Sequence, residues 1–191
     1  MTTSPLPDAI TARSLDQADI ADLRDRIRGA VHRPTDPGYP THGFNVAVSR
    51  RPWAVIDVTG DADVAAAIAF AGENAMTVAV HATGHGATDI DGHTLLLRTH
   101  LLDTCEIDPE SRTARLGAGV RWQTVIDAAS AHGLAPLCGS APGVGVVGFL
   151  SGGGIGPLVR SVGASSDHVR SFDVVTGTGE LRRATAEDNA E

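Results

Sequence analysis

Val78-Ala-Val-His81-Ala-Thr-Gly84-His85-Gly86-Ala-Thr88 is the stretch on which the fold turns. An apolar, β-branched run ends in a polar turn holding two glycines. A sheet that ends this way presents backbone N–H groups to an anion, because glycine lets the chain turn and lets a ligand approach the backbone. Two histidines four residues apart also raise the question of a metal. That reading needs both on one helix face, and a helix through Gly84 and Gly86 after a β-branched run is disfavoured. Asp89 and His93 are near in sequence but complete no ligand set, so no metal is expected. Two ordinary turn histidines are the plain alternative.

A second, longer glycine loop reads Cys138-Gly139-Ser140-Ala-Pro142-Gly143-Val144-Gly145-Val-Val-Gly148-Phe-Leu-Ser151-Gly152-Gly153-Gly154-Ile-Gly156. Gly143, Gly145 and Gly148 spell G-x-G-x-x-G. The dinucleotide fingerprint requires a strand before that string and a helix after it. Here Pro136 and Pro142 precede it, and Gly152 to Gly154 oppose a following helix. Asp167 lies at about the distance of a ribose-binding acid. A nicotinamide-dependent Rossmann enzyme is thus the weaker alternative. What survives is a long side-chain-poor backbone suited to a large flat or phosphorylated ligand. Val144, Val146, Val147, Phe149, Leu150 and Ile155 are apolar enough to be buried, which argues against a flexible linker.

Around these loops, helical and extended patterns alternate. Residues 14–31 read as an amphipathic helix capped by Ser14, with Leu15, Ile20, Leu23, Ile27 and Val31 near one face. Residues 32–43 read as loop, given Pro34, Pro37, Gly38, Pro40 and Gly43. Strands are expected at 53–58, 76–81, 94–98 and 112–116, with turn signals at Asp91-Gly92 and Asp108-Pro109. Helices are expected at 61–72, capped by Thr59 or Asp61 with Val64, Ala67, Ile68 and Ala71 inward, and at 122–132, ended by Gly133. Residues 171–175 and 180–183 read as a hairpin. The mixture is α+β. Thr185, three residues before Asp188, resembles a helix N-terminus. The chain stops at Glu191 before a large apolar residue, so residues 185–191 read as the start of a truncated segment, with a frayed polar tail as the alternative.

Composition narrows the function classes. With 191 residues and 42% hydrophobic content, the chain has enough apolar mass to fold as one sizeable domain and is not a disordered polymer. Net charge is −8 and every basic residue other than histidine is arginine, with no basic run, so no nucleic-acid partner is expected. No apolar run approaches the roughly 20 residues a bilayer needs, and no signal peptide is visible, so no membrane partner is expected. Cys105 and Cys138 form neither a disulfide framework nor a zinc spacing, which suits the cytoplasm. Twenty-two glycines stand against four Phe, two Trp and one Tyr.

The order of motifs resembles the FAD-binding region of the p-cresol methylhydroxylase-type flavoproteins (the vanillyl-alcohol oxidase superfamily), and most of all the berberine bridge enzyme-like oxidoreductases. The likeness runs from Arg51-Pro-Trp-Ala-Val-Ile-Asp57 and Asp61-Ala-Asp-Val64 through Val80-His-Ala-Thr-Gly-His-Gly86, which is similar to that family's Arg-x-x-Gly-His loop. It continues through Ile107-Asp-Pro-Glu110, Gly117-Ala-Gly-Val-Arg-Trp122 and the glycine block. Gly163-Ala-Ser-Ser-Asp167-His-Val169 and Val174-Val-Thr-Gly-Thr-Gly-Glu180 close it. Residues 1–49, an N-terminal helix and loop, add little to the likeness; residues 50–184 form the expected FAD-binding domain of two small α/β subdomains.

The resemblance implies an FAD-dependent oxidoreductase that oxidises a small organic substrate by hydride transfer to flavin, with oxygen as acceptor. The alternative is a non-catalytic flavin- or nucleotide-binding module that needs a partner chain. By the resemblance, His81, Ala82, Thr83, Gly84, His85 and Gly86 line the FAD pyrophosphate. Gly139, Ser140, Pro142, Val144, Gly145, Gly148, Ser151, Gly152, Gly153, Gly156 and Asp167 are the further cofactor-binding candidates. His85 matches the histidine that commonly carries flavin through an 8α bond. Two departures stand out. His81 replaces the usual arginine, which weakens one cationic phosphate contact. Doubly linked members carry a cysteine at the position of Ala141, whereas Cys138 stands three residues earlier, so a single His85 link is expected. The resemblance also places the substrate domain and the catalytic base beyond residue 191. Tyr39 is a poor candidate for that base.

Overall fold

The computed structural model describes residues 14–189. Helix α1 (Gln17–Arg26) is followed by strands β1 (Ala30–His32) and β2 (Ala54–Asp57), helix α2 (Asp61–Glu73), and strands β3 (Thr77–His81) and β4 (Thr94–Arg98). These strands form one sheet in the order β1-β2-β4-β3, with β1 antiparallel to β2 and the other pairs parallel. β4 lies between two strands that precede it in sequence. Its Thr-Leu-Leu-Leu-Arg run is buried along almost its whole length, as a parallel strand covered on both faces requires. One core gathers Leu23, Ile56, Phe70, Leu95 and Leu97 beneath α1 and α2. Val55 and Leu96, paired across the β2–β4 register, are fully buried and alternate to the opposite face.

A second core joins Val120, Trp122, Val125 and Val146. It is built from the hairpin of β5 (Cys105–Asp108) and β6 (Thr113–Leu116), with helices α3 (Trp122–Ser130) and α4 (Val146–Ser151). Beyond a short α5 (Val159–Val162) and a 3₁₀ turn (Ser165–His168), β7 (Ser171–Val175) and β8 (Leu181–Thr185) form an antiparallel hairpin. This is the expected α+β architecture with two small units.

The first helix departs from its sequence pattern. It begins at Gln17, and Asp16, not Ser14, caps it: the Asp16 carboxylate accepts from the N–H groups of Ala18 and Asp19, while Asp19 accepts from the Asp16 N–H. It also ends at Arg26. Ile27 and Val31 are buried as expected, but from extended chain. The cause is Asp63 in the first turn of α2. Its carboxylate accepts from the N–H groups of Arg28 (2.8 Å), Gly29 (3.1 Å) and Thr59 (2.8 Å), and from the Thr59 hydroxyl (2.7 Å). Arg28 and Gly29 can reach that carboxylate only if the helix has stopped. A tertiary contact therefore overrides a 3.6-residue period. Burial pushes the Asp63 carboxyl up, and the four hydrogen bonds outweigh it, so the net shift is downward.

Three smaller differences follow the same logic. Neither Thr59 nor Asp61 caps α2; Gly60 occupies the cap position. Phe70 fills the core below α2, whereas Ile68 stays half-buried. Thr185 does accept from the N–H groups of Glu187 and Asp188, as a capping residue would, but it ends β8 and no helix follows through residue 189. Residues 1–13 and 190–191 of the expected terminal segments lie outside the described residues.

Asp63→Ala leaves three backbone N–H groups without their acceptor where the end of α1 and the start of α2 meet. It should destabilise the fold by about 3–5 kcal/mol in urea denaturation at pH 7.

Candidate functional site

The sheet's three parallel strands all end on the same side, and their last residues form a polar cluster. Asp57 of β2 and Arg98 of β4 are register partners. Arg98 donates to both carboxylate oxygens, each at 2.6 Å, and His32 Nε2 lies 2.9 Å from the same group. Burial raises the Asp57 carboxyl, but Arg98 and His32 hold it below the usual carboxylate range. His81 ends β3. In open parallel sheets, ligands bind in the crevice outside these carboxyl ends, and the first glycine loop leaves the sheet there.

His81 is 7% exposed, and its Nδ1 accepts from Arg50 Nη1 at 2.9 Å. Burial, reinforced by the charges of Arg50, Arg98 and His100, pushes its pKa down to about 4. His81 is therefore neutral near pH 7, with its proton on Nε2. The positive charge next to this position is carried by Arg50, which also donates to the Thr41 carbonyl. Arg50 Nε is buried with no hydrogen-bond partner among the described residues.

The loop itself is bonded on one side. The Thr83 carbonyl accepts from the Phe44 N–H (2.9 Å) and the Gly84 carbonyl from the Asn45 N–H (3.2 Å). Gly84 has φ +73°, and a Cβ there would lie 2.7 Å from the Cα of Gly43, so neither conformation nor space admits a side chain. By contrast, the N–H groups of Thr83, Gly84, His85 and Gly86 find no acceptor among the described residues. Four successive unpaired donors in a partly exposed turn are available to an anion, as pyrophosphate binding would require. Thr83 Oγ1 lies 2.6 Å from His85 Nδ1. His81 and His85 thus have separate partners, and among the described residues no group of three or more His, Cys, Asp or Glu side chains could hold a metal.

The second glycine loop meets the first at Gly145, where a Cβ would lie 3.2 Å from that of Ala82. The Pro142 carbonyl accepts from the Gln123 N–H and that of Val144 from the Trp122 N–H, so both residues anchor the loop to α3. The Val144 side chain packs against the second core. Gly145 caps α4, and Gly148 lies within that helix with open space around it. The six-residue helix does follow the G-x-G string, despite the expected break, and stops at the Gly152 cap. Residues 134–144 contain no strand, so the Rossmann context fails on that side alone. Gly139 packs on the Phe149 ring, Ser140 is exposed, Ser151 donates to the Gly148 carbonyl, and Gly156 approaches the Cys138 carbonyl. Gly153 has φ +95°. Asp167 is exposed and accepts from the Ala164 N–H within its own turn.

Comparison with known proteins agrees with this geometry. The model of the FAD binding domain matches residues 52–185. The chain belongs to the FAD-binding domain family. Within it, the chain is 32% identical over 162 residues to (R)-6-hydroxynicotine oxidase of Paenarthrobacter nicotinovorans, covering 81% of this chain and 35% of that enzyme. It is 32% identical to a VAO-type flavoprotein oxidase of Thermothelomyces thermophilus, covering 82% of this chain and 28% of the relative. The solved structure of 6-hydroxy-D-nicotine oxidase from Arthrobacter nicotinovorans superposes with a TM-score of 0.80 at 29% identity, over 85% of this chain and 37% of that one. BBE-like protein 1 of Physcomitrella patens shares the fold, with a TM-score of 0.80 at 22% identity, over 90% of this chain and 38% of that one. The flavoprotein family expected from the motif order is the family found. This FAD-binding domain spans about a third of the length of these relatives. Among the described residues, no helix is long and apolar enough to cross a membrane.

Sequence reading did not find Arg50, Phe44 or the pairing of Thr83 with His85. His81 sets a pH prediction. Its folded pKa is depressed, so between about pH 6.5 and 4 the unfolded chain takes up a proton that the folded chain refuses, and stability falls as pH falls. The contribution at pH 5 is a loss of about 2 kcal/mol relative to pH 7. Chemical denaturation at both pH values should show that part of the loss disappearing in His81→Gln.

Proposed function

We propose that this FAD-binding domain is the flavin-holding part of an oxidase that takes a hydride from a small organic substrate and passes the electrons to dioxygen. The observation that carries this reading is the run of unpaired N–H donors at Thr83 to Gly86, in a loop that leaves the carboxyl end of a parallel strand and meets the glycine block at Gly145. Bound FAD supplies the redox chemistry; the chain binds and orients it. His81 to Gly86 hold the pyrophosphate, Arg50 supplies the neighbouring positive charge, and the stretch from Gly139 to Gly156 lies along the cofactor. The relatives named as oxidases support oxygen as the acceptor and a small molecule as the substrate.

His85 carries the flavin through an 8α bond. A neutral imidazole nitrogen is a competent nucleophile near pH 7. The bond forms between a ring nitrogen and the carbon of the flavin 8α-methyl group. His85 gives up its imidazole N–H proton and the methyl one hydrogen, with bound FAD supplying the two-electron oxidation and dioxygen restoring the oxidised cofactor with release of hydrogen peroxide.

Purified chain loaded with FAD should show oxidised-flavin absorption, and after acid denaturation the yellow colour should remain with the pellet. His85→Ala should move the colour to the supernatant. Retention in the variant would assign the link to another residue, and colour wholly in the wild-type supernatant would remove the covalent link. A chain that stays colourless with added FAD would overturn the flavin reading.

A further inference from the structure

The ring of His85 is held from outside the matched domain. Phe44 lies upstream of residues 52–185, yet its ring stacks on the His85 imidazole with centroids 4.1 Å apart and planes 13° from parallel. Phe44 is 71% exposed, so burial in a core does not explain its place. Its backbone is nevertheless fixed: Phe44 and Asn45 donate their N–H groups to the carbonyls of Thr83 and Gly84, and the Asn45 side chain donates to the Ala87 carbonyl at 3.3 Å. Gly43 and Gly84 approach too closely for a side chain on either. Two chain segments thus meet at one imidazole: Phe44 covers a face from the upstream segment, while in the loop itself Thr83 Oγ1 lies at hydrogen-bond distance from Nδ1 and the glycine turn sets the position of the Cα.

We propose that Phe44 is the positioning residue for His85, fixing the plane and rotamer in which its imidazole meets the flavin. The inference rests on the reading of His85 as the attachment point. A half-buried histidine in a glycine turn can rotate about two bonds, one contact at Nδ1 restrains it only in part, and a reacting group must be held close to its productive geometry. A parallel aromatic neighbour favours one ring plane without competing for either ring nitrogen. The Phe44–Asn45 backbone bonds carry the ring to His85 even though the two lie far apart in sequence.

The test compares wild-type chain, Phe44→Ala and Phe44→Tyr, each incubated with FAD. Covalent flavin is read by fluorescence of the denatured protein, and non-covalent affinity by quenching at short times. Phe44→Ala should lower the rate of covalent attachment on the order of 10-fold or more, while FAD affinity changes by less than about threefold, and Phe44→Tyr should restore the rate. Attachment in Phe44→Ala at the wild-type rate, or a parallel loss of attachment and affinity, would overturn the role. If wild-type chain binds FAD but retains none after denaturation, the histidyl link fails instead. The positioning claim is then decided by NMR of the His85 ring protons. An upfield ring-current shift in wild type that is lost in Phe44→Ala upholds it, and identical shifts refute it.

Discussion

A loop that must offer its N–H groups to a ligand cannot use them to hold itself together, and this constraint governs the construction of the site. The loop from Thr83 to Gly86 leaves four donors unpaired among the described residues. All its support has to come through its carbonyls and side chains. Phe44 and Asn45 take the carbonyls, Arg50 takes the His81 ring, and the β3–β4 ladder fixes the strand from which the loop departs. Unpaired backbone polar groups are costly when buried. The loop is therefore only half-buried, and neighbouring segments hold it through its carbonyls.

The same division of labour explains the charge pattern. The Asp57–Arg98 pair is internally neutralised and joins two parallel strands at their ends. Arg50 faces a neutral histidine instead of a carboxylate, and among the described residues no carboxylate lies within ion-pair distance of it. One guanidinium organises the sheet edge; the other leaves a positive charge beside the open loop, where an anionic ligand gains from it. The exchange of an arginine for His81 thus leaves the site with a cation, supplied from a different segment.

Much of this was readable from sequence. β4 occupies the residues its apolar run marked, α2 and α3 begin where expected, and both glycine loops come together. These features rest on local signals: period, turn chemistry and lack of side chains. What was not readable rests on contacts between distant segments. Ile27 and Val31 continue the helical period of α1, and nothing nearby in sequence reveals that Asp63 will capture the Arg28 and Gly29 N–H groups. Phe44 shows no periodicity and sits among prolines and glycines, so it reads as loop. Its partner is 41 residues away, and only the fold brings the rings together. The hairpin strand β5 was hidden by its short, mixed Cys-Glu-Ile-Asp run, although the Asp108-Pro109 turn pointed to it.

The strand order has a consequence for how the chain is made. β2 and β3 are synthesised with a helix between them, yet they never pair with one another; each pairs with β4, which comes later. A ribosome-bound chain that ends before Thr94 therefore holds the whole His85 loop but lacks the strand that fixes its base. Loop closure over this distance must precede the gain from pairing. The cofactor loop is thus written early and assembled late, and it can take up its ligand only after β4 has slotted into the gap between strands already made.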